Sequence, residues 1–178
     1  MILALSAVSL SSAASPAAKG KKARMKITSP SFAQGALIPP KHTCQGADSS
    51  PELVWEGEPA GTKSLALIVD DPDAPGKTWV HWVIFNIPPG TGVLDENLVK
   101  SELLANGTRQ GRNDFGNLGW GGPCPPTGAH RYYFRLYALD AVLNLKAGSS
   151  KEQLLAAMKG HILGEGLLLG LYQKQRLP

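Results

Sequence analysis

Short apolar runs, each closed by proline, glycine or aspartate, are what most constrain the fold of this chain. Ser64 to Val69 (Ser-Leu-Ala-Leu-Ile-Val) lies between Gly61-Thr62-Lys63 and Asp70-Asp71-Pro72. A run that short, with such flanks, predicts a buried strand rather than a helix. Trp79 to Ile87 is rich in β-branched and aromatic residues and is stopped by Pro88-Pro89-Gly90, so it predicts a second strand. Arg131 to Leu139 predicts a third, entered from a long loop of glycine and proline, and Met25 to Thr28 is expected to open the domain as a strand. With 20 glycines and 14 prolines in 178 residues, turns are frequent, which favours strands over long helices. There is no internal repeat, and the length suits one β-rich domain with a sizeable core.

One helix is expected near the C-terminus. Ser150 and Gln153 have the spacing of a capping box, and Leu154, Leu155 and Met158 supply an apolar face. Gly160 is expected to interrupt this helix and Gly164 to end it. Leu167 to Tyr172 reads as a closing strand, although its leucines would also suit a helix.

The formal net charge of +4 is an effect of the N-terminus. Of 18 basic residues, five (Lys19, Lys21, Lys22, Arg24 and Lys26) precede Ile27, leaving 13 against 14 acidic residues in the body. A basic cluster on an arm is usually solvated, and no patterned basic groove argues for nucleic acid. Residues 1–24 resemble a secretory signal peptide, with an apolar start and the small-residue run Ser11 to Ala18 but without a basic beginning. A disordered extension with a mis-assigned start is the alternative. The expected domain is therefore 25–178, periplasmic or secreted, with a cytoplasmic location as the other reading. No apolar stretch of about 18 residues is present, so no transmembrane segment is expected in the mature domain. Cys44 and Cys124 suit one disulfide in an exported protein and two reduced thiols in a cytosolic one.

Candidate functional residues gather at strand ends. Asp71 leaves the first long strand, and His81 sits near the start of the next. The prolines of Asp71-Pro72-Asp73-Ala74-Pro75 stiffen the link between them. Strict alternation places Trp79, His81, Val83, Phe85 and Ile87 on one face, and His130, Tyr132, Phe134, Leu136 and Ala138 on one face of the later strand. Two core-facing strands that each become polar at the entry end predict a pocket at the margin of the core. A carboxylate near histidines favours the imidazolium, so Asp71 with His81 and His130 would keep positive charge there. With the Tyr132 hydroxyl and the backbone N–H groups of the loop from Gly116 to Gly128, the pocket would suit a phosphate or carboxylate. The plainer reading is three capped core residues, with Asp71 making an Asx-turn.

The same residues carry a family resemblance. Asp71-Pro72-Asp73-Ala74-Pro75, Trp79-Val80-His81-Trp82 and Gly122-Pro123-Cys124-Pro125-Pro126-Thr127-Gly128-Ala129-His130-Arg131-Tyr132 follow one another in order. His42-Thr43-Cys44, Ser50-Pro51-Glu52-Leu53, Asn113-Asp114-Phe115-Gly116 and Gly160-His161-Ile162-Leu163 accompany them. From about Met25 to the C-terminus the chain resembles the phosphatidylethanolamine-binding proteins, in their bacterial and archaeal Raf-kinase-inhibitor-like branch. The resemblance implies a mostly β (α+β) fold of Greek-key type, with a large central antiparallel-rich sheet, a smaller second sheet and a C-terminal helix. It implies a pocket for a small anion such as phosphate, phosphorylethanolamine or a carboxylate. The residues it carries over are Asp71, Trp79, His81, His130 and Tyr132, with Pro72 and Pro123 in the walls. Some members inhibit kinases or proteases, so a regulated protein partner, and a homodimer, enter as expectations. No cofactor, metal or enzymatic activity is expected.

Two rival chemistries share these letters. Cys124, His130 and Asp71 would make a thiol hydrolase, although Cys124 is wedged between prolines. His42, Cys44, Cys124 and His130 have ligand types that suit zinc, in a spacing that matches no compact zinc motif. Asp114-Phe115-Gly116 spells a kinase magnesium motif without its companions, and Asn106-Gly107-Thr108 fits a glycosylation acceptor only in a eukaryotic secretory setting.

Overall fold

The computed structural model describes residues 22–175. The strands are β1 (Ala23–Arg24), β2 (Lys26–Thr28), β3 (Leu53–Glu56), β4 (Ser64–Asp71), β5 (Trp79–Ile87), β6 (Val93–Leu94), β7 (Arg109–Gln110), β8 (Ala129–Leu139) and β9 (Ile162–Gln173), with helix α1 (Lys151–Met158) before the last. The expected leader falls almost wholly outside the described residues. The folded body reaches back past Met25, because Ala23 and Arg24 pair in parallel with Gly164 and Glu165 of β9.

Six strands form the large sheet in the order β1-β9-β8-β4-β5-β7, and β2-β3-β6 form the small one. Every pairing in the large sheet except that of β1 is antiparallel. β4, β5 and β7 follow one another across it and β8 returns beside β4, which is the Greek-key order. β4 is buried at every position, which explains an unbroken apolar run in place of alternation. One core layer, with Leu67, Val69, Trp82, Trp120 and Phe134, fills the space between the sheets. The second, with Ile68, Val83, Phe85, Leu154 and Met158, lies under α1 on the opposite face.

The phase of β5 differs from strict alternation. Val69 faces Trp82 whereas Asp70 faces Val80, so His81 is an extra, bulged residue. His81 and Trp82 consequently point into the same layer, where the His81 ring lies 5.1 Å from Tyr132 and the Trp82 ring 5.7 Å from Trp120. Val83 and Phe85, expected beside His81, pack under α1 instead. A second bulge at Asn86, with φ of 55°, returns Ile87 to the inner layer. The Asn86 amide bonds both backbone groups of Leu143, which holds that conformation. In β8 the expected face from His130 to Ala138 is the inward one.

The Ser150–Gln153 capping box forms, but α1 stops at Met158 and Gly164 lies inside β9. Gly164, Gly166 and Gly170 occupy the β9 face on which the N-terminal segment rests. A Cβ on Gly166 would lie 3.2 Å from the Met25 carbonyl oxygen. These glycines serve close packing of a strand, not helix termination.

Candidate anion-binding pocket

At the open end of the inner core layer, β4, β5 and β8 deliver three titratable side chains. Asp71 is 3% exposed, His81 2% and His130 7%. β4 and β8 are neighbours in register, so Asp71 Oδ2 accepts a 2.7 Å hydrogen bond from His130 Nδ1. Asp71 Oδ1 accepts from the Asp73 backbone N–H at 2.8 Å, closing an Asx-turn. The turn and the contact with His130 use different oxygens of one carboxylate. Asp73 in turn accepts from the backbone N–H and the guanidinium of Arg131, which holds its carboxyl at about 2 and ties the proline loop to the residue after His130.

His81 is held from the other side. Its Nδ1 lies 2.5 Å from the Gly121 carbonyl oxygen, and the Gly121 N–H donates to the His81 carbonyl at 2.9 Å. Burial pushes this imidazole below the ordinary histidine range, against the pull of Asp71, Asp114 and Asp48. The Asp71 carboxylate hydrogen-bonds one histidine only, and burial disfavours the charged form of the other. Asp114 accepts from Val80 N–H at 2.7 Å and from Lys77 at 2.8 Å, which straps the 113–116 turn to the start of β5. That turn presents Phe115, whose ring lies 5.4 Å from Trp79 and 5.5 Å from His81.

These groups enclose a cavity of about 220 Å³, walled by Trp79, Phe115, Pro75, Pro125 and Pro126, with Asp71, His81 and His130 on its polar side. Trp79 Nε1, on the cavity wall, is buried without a partner among the described residues, whereas Tyr132, 0% exposed, lies behind the lining with its ring 5.1 Å from His81. Burial and the Asp71 charge raise the Tyr132 phenol, so it stays protonated and able to donate. A groove of about 720 Å³ along the β1–β9 edge is larger, but its lining side chains Lys26 and Glu165 are ion-paired at the surface. An unmet buried donor marks the smaller cavity as the better ligand site.

A sequence model of the phosphatidylethanolamine-binding protein family matches residues 28–173. The chain belongs to the phosphatidylethanolamine-binding protein family. A Methanothermobacter thermautotrophicus relative named only as a UPF0098 protein is 55% identical over 150 residues, spanning 84% of this chain and 99% of its own length. An Aquifex aeolicus protein of the same designation is 46% identical over 84% of this chain and 89% of its own. Among solved structures, the Chlamydia trachomatis phosphatidylethanolamine-binding protein homologue CT736 superposes with a TM-score of 0.79 at 42% identity, covering 87% of this chain and all 100% of that one. Escherichia coli YbcL, described as a new member of the mammalian PEBP family, gives 0.78 at 34% identity over 85% of this chain and 99% of that one.

Within this family framework, Asp71, Trp79, His81 and His130 line one cavity, Tyr132 packs on the His81 ring without lining it, and the two expected wall prolines do not line it. Pro72 is exposed, because the Asx-turn at Asp71 rotates it outward. Pro123 is buried behind the cavity, where its carbonyl accepts from Cys44 N–H at 3.1 Å. Pro75, Pro125 and Pro126 line the cavity in their place. Phe115 and the Gly121 carbonyl were not predicted for the site. The Asp-Phe-Gly letters marked the turn that carries Phe115, but read as a kinase motif they point away from it.

The sulfurs of Cys44 and Cys124 are joined in a disulfide, with Cα atoms 5.4 Å apart. No free cysteine remains among the described residues, so neither the thiol hydrolase nor a cysteine-ligated zinc site has its sulfur. His42 is turned away as well, its ring nitrogens bonded to the Ser49 carbonyl and the Ser31 hydroxyl at 2.9 and 3.0 Å.

Proposed function

We propose that this phosphatidylethanolamine-binding family member is a binding protein for small anions: phosphate, phosphorylethanolamine or a carboxylate. The observation that carries the reading is the buried Trp79 indole N–H, which has no partner among the described residues and belongs to a side chain that lines the cavity with Asp71, His81 and His130. Leaving such a donor unpaired costs about 1–3 kcal/mol, a penalty that a bound oxyanion removes. Phe115 with the prolines gives apolar walls that keep this donor from bulk water.

Export to the periplasm or beyond belongs to the same proposal. It is supported by the Cys44–Cys124 disulfide, since such bonds persist in oxidising compartments. A regulatory action on a protein partner would use the same end of the fold, where ligand occupancy and the proline loops meet. No described helix is long and apolar enough to cross a membrane.

Titration calorimetry with phosphate and phosphorylethanolamine, on wild type and Trp79→Phe, tests the reading. Wild type should bind at millimolar concentrations or better, and the variant should bind about tenfold more weakly while remaining folded. No ligand-dependent heat, or equal binding by the variant, would sink it.

A further inference from the structure

His81 gives the pocket a polarity that an anion site does not need. An anion is normally met by donors, and Trp79 Nε1 on the cavity wall is one. His81 differs. A carbonyl can only accept, so the 2.5 Å contact with Gly121 commits the His81 Nδ1 proton to that oxygen. The reciprocal bond from Gly121 N–H to the His81 carbonyl ties the two residues together. Nε2 makes no hydrogen bond among the described residues, and in the neutral ring it offers a lone pair.

The surroundings disfavour the charged form of that ring. Trp120, Phe115 and Tyr132 present their rings to it at 6.5, 5.5 and 5.1 Å, and desolvation outweighs the carboxylates of Asp71, Asp114 and Asp48. Tyr132, its phenol raised by the same burial, adds no charge. His130, the remaining titratable group at the cavity, is turned by its Nδ1 toward Asp71.

We infer that the pocket selects oxyanions that carry a proton, hydrogen phosphate free or as a monoester, with His81 Nε2 accepting the P–OH. This rests on the anion-site reading and makes His81 the residue that decides which anions enter. Sulfate has the size and shape of phosphate but no proton near neutral pH, so one of its oxygens would face the lone pair. A phosphodiester, the form of an intact phospholipid headgroup, lacks the P–OH too. A monoester with a second pKa of about 6 is largely proton-free at neutral pH and would take up a proton on binding.

The test is calorimetry on the wild-type protein near neutral pH. Inorganic phosphate, sulfate, dimethyl phosphate, phosphorylethanolamine and glycerophosphorylethanolamine are titrated in two buffers of different ionisation enthalpy. Phosphate should bind on the order of tenfold or more tighter than sulfate or dimethyl phosphate, the cost of an unmade hydrogen bond. Phosphorylethanolamine should bind with uptake of close to one proton. In His81→Asn, whose amide can donate as well as accept, sulfate should bind as tightly as phosphate. Sulfate matching phosphate in the wild type would overturn the inference and leave the anion site standing. Glycerophosphorylethanolamine matching phosphate would overturn it in favour of the lipid diester. No heat from any of the anions would overturn the anion site itself, and the inference with it. The wild-type comparison needs no variant, so a His81→Asn chain that fails to fold does not blunt it.

Discussion

Asp71 Oδ2 and His130 Nδ1 meet at 2.7 Å across 59 residues of sequence, both nearly excluded from water, while the other oxygen of the same carboxylate closes the turn that follows β4. One side chain thus orients a ring at the cavity and shapes the loop that walls it. The two roles separate chemically, since an amide can keep the turn but not the charge.

Asp71→Asn therefore should leave the fold intact and weaken the site. The asparagine oxygen still accepts from Asp73 N–H, but the negative charge facing His130 is gone. Phosphate affinity should fall about tenfold, read by calorimetry, with an unchanged circular dichroism spectrum. Unchanged affinity would remove Asp71 from the binding machinery.

Burial holds both His81 and His42 below the ordinary histidine value of 6.5. For groups lowered in this way the unfolded chain takes up protons that the fold resists. Their contribution to stability is present above about pH 6.5 and declines as pH falls through it. Urea midpoints should accordingly drop between about pH 7 and about pH 5. His42→Gln, which removes one of the two rings, should shrink that drop; a midpoint flat across the interval would contradict the burial argument.

The Cys44–Cys124 bond closes a loop with a sequence separation of 80. Loop-closure entropy puts its contribution at about 4 kcal/mol. Denaturant unfolding with and without a dithiol reductant should show a loss of that order. A loss below about 1 kcal/mol would mean that the reduced chain keeps these segments together in its denatured state.

Gly170 lies where β9 meets the segment around Ile38. A Cβ there would come within 2.6 Å of Ile38 Cγ1 and 2.7 Å of its Cδ1, and Ile38 is 1% exposed, with little room to retreat. Gly170→Ala should destabilise the domain by about 1–3 kcal/mol in thermal or urea unfolding. The same change at Gly35 is no control, because φ there is +74°.

Local chemistry decided much of this protein in advance. The apolar run of β4 and the aromatic run of β5 marked themselves as strands, and Ser150 with Gln153 marked the start of α1, because burial and capping depend on residues close in sequence. The ordered motifs around Asp71, His81 and His130 likewise carried the family. Long-range register decided the rest. A bulge adds one residue and so inverts every parity argument beyond it, which is why Val83 and Phe85 left the His81 face. The pairing of β4 with β8 chose His130 as the partner of Asp71, and the Gly121 carbonyl took the Nδ1 proton of His81. Asp71, His81 and His130 were legible as residues of one pocket. Their division into a ring bonded to the Asp71 carboxylate and a ring bonded to the Gly121 carbonyl was not, because hydrogen-bond partners and burial exist only once distant strands have met.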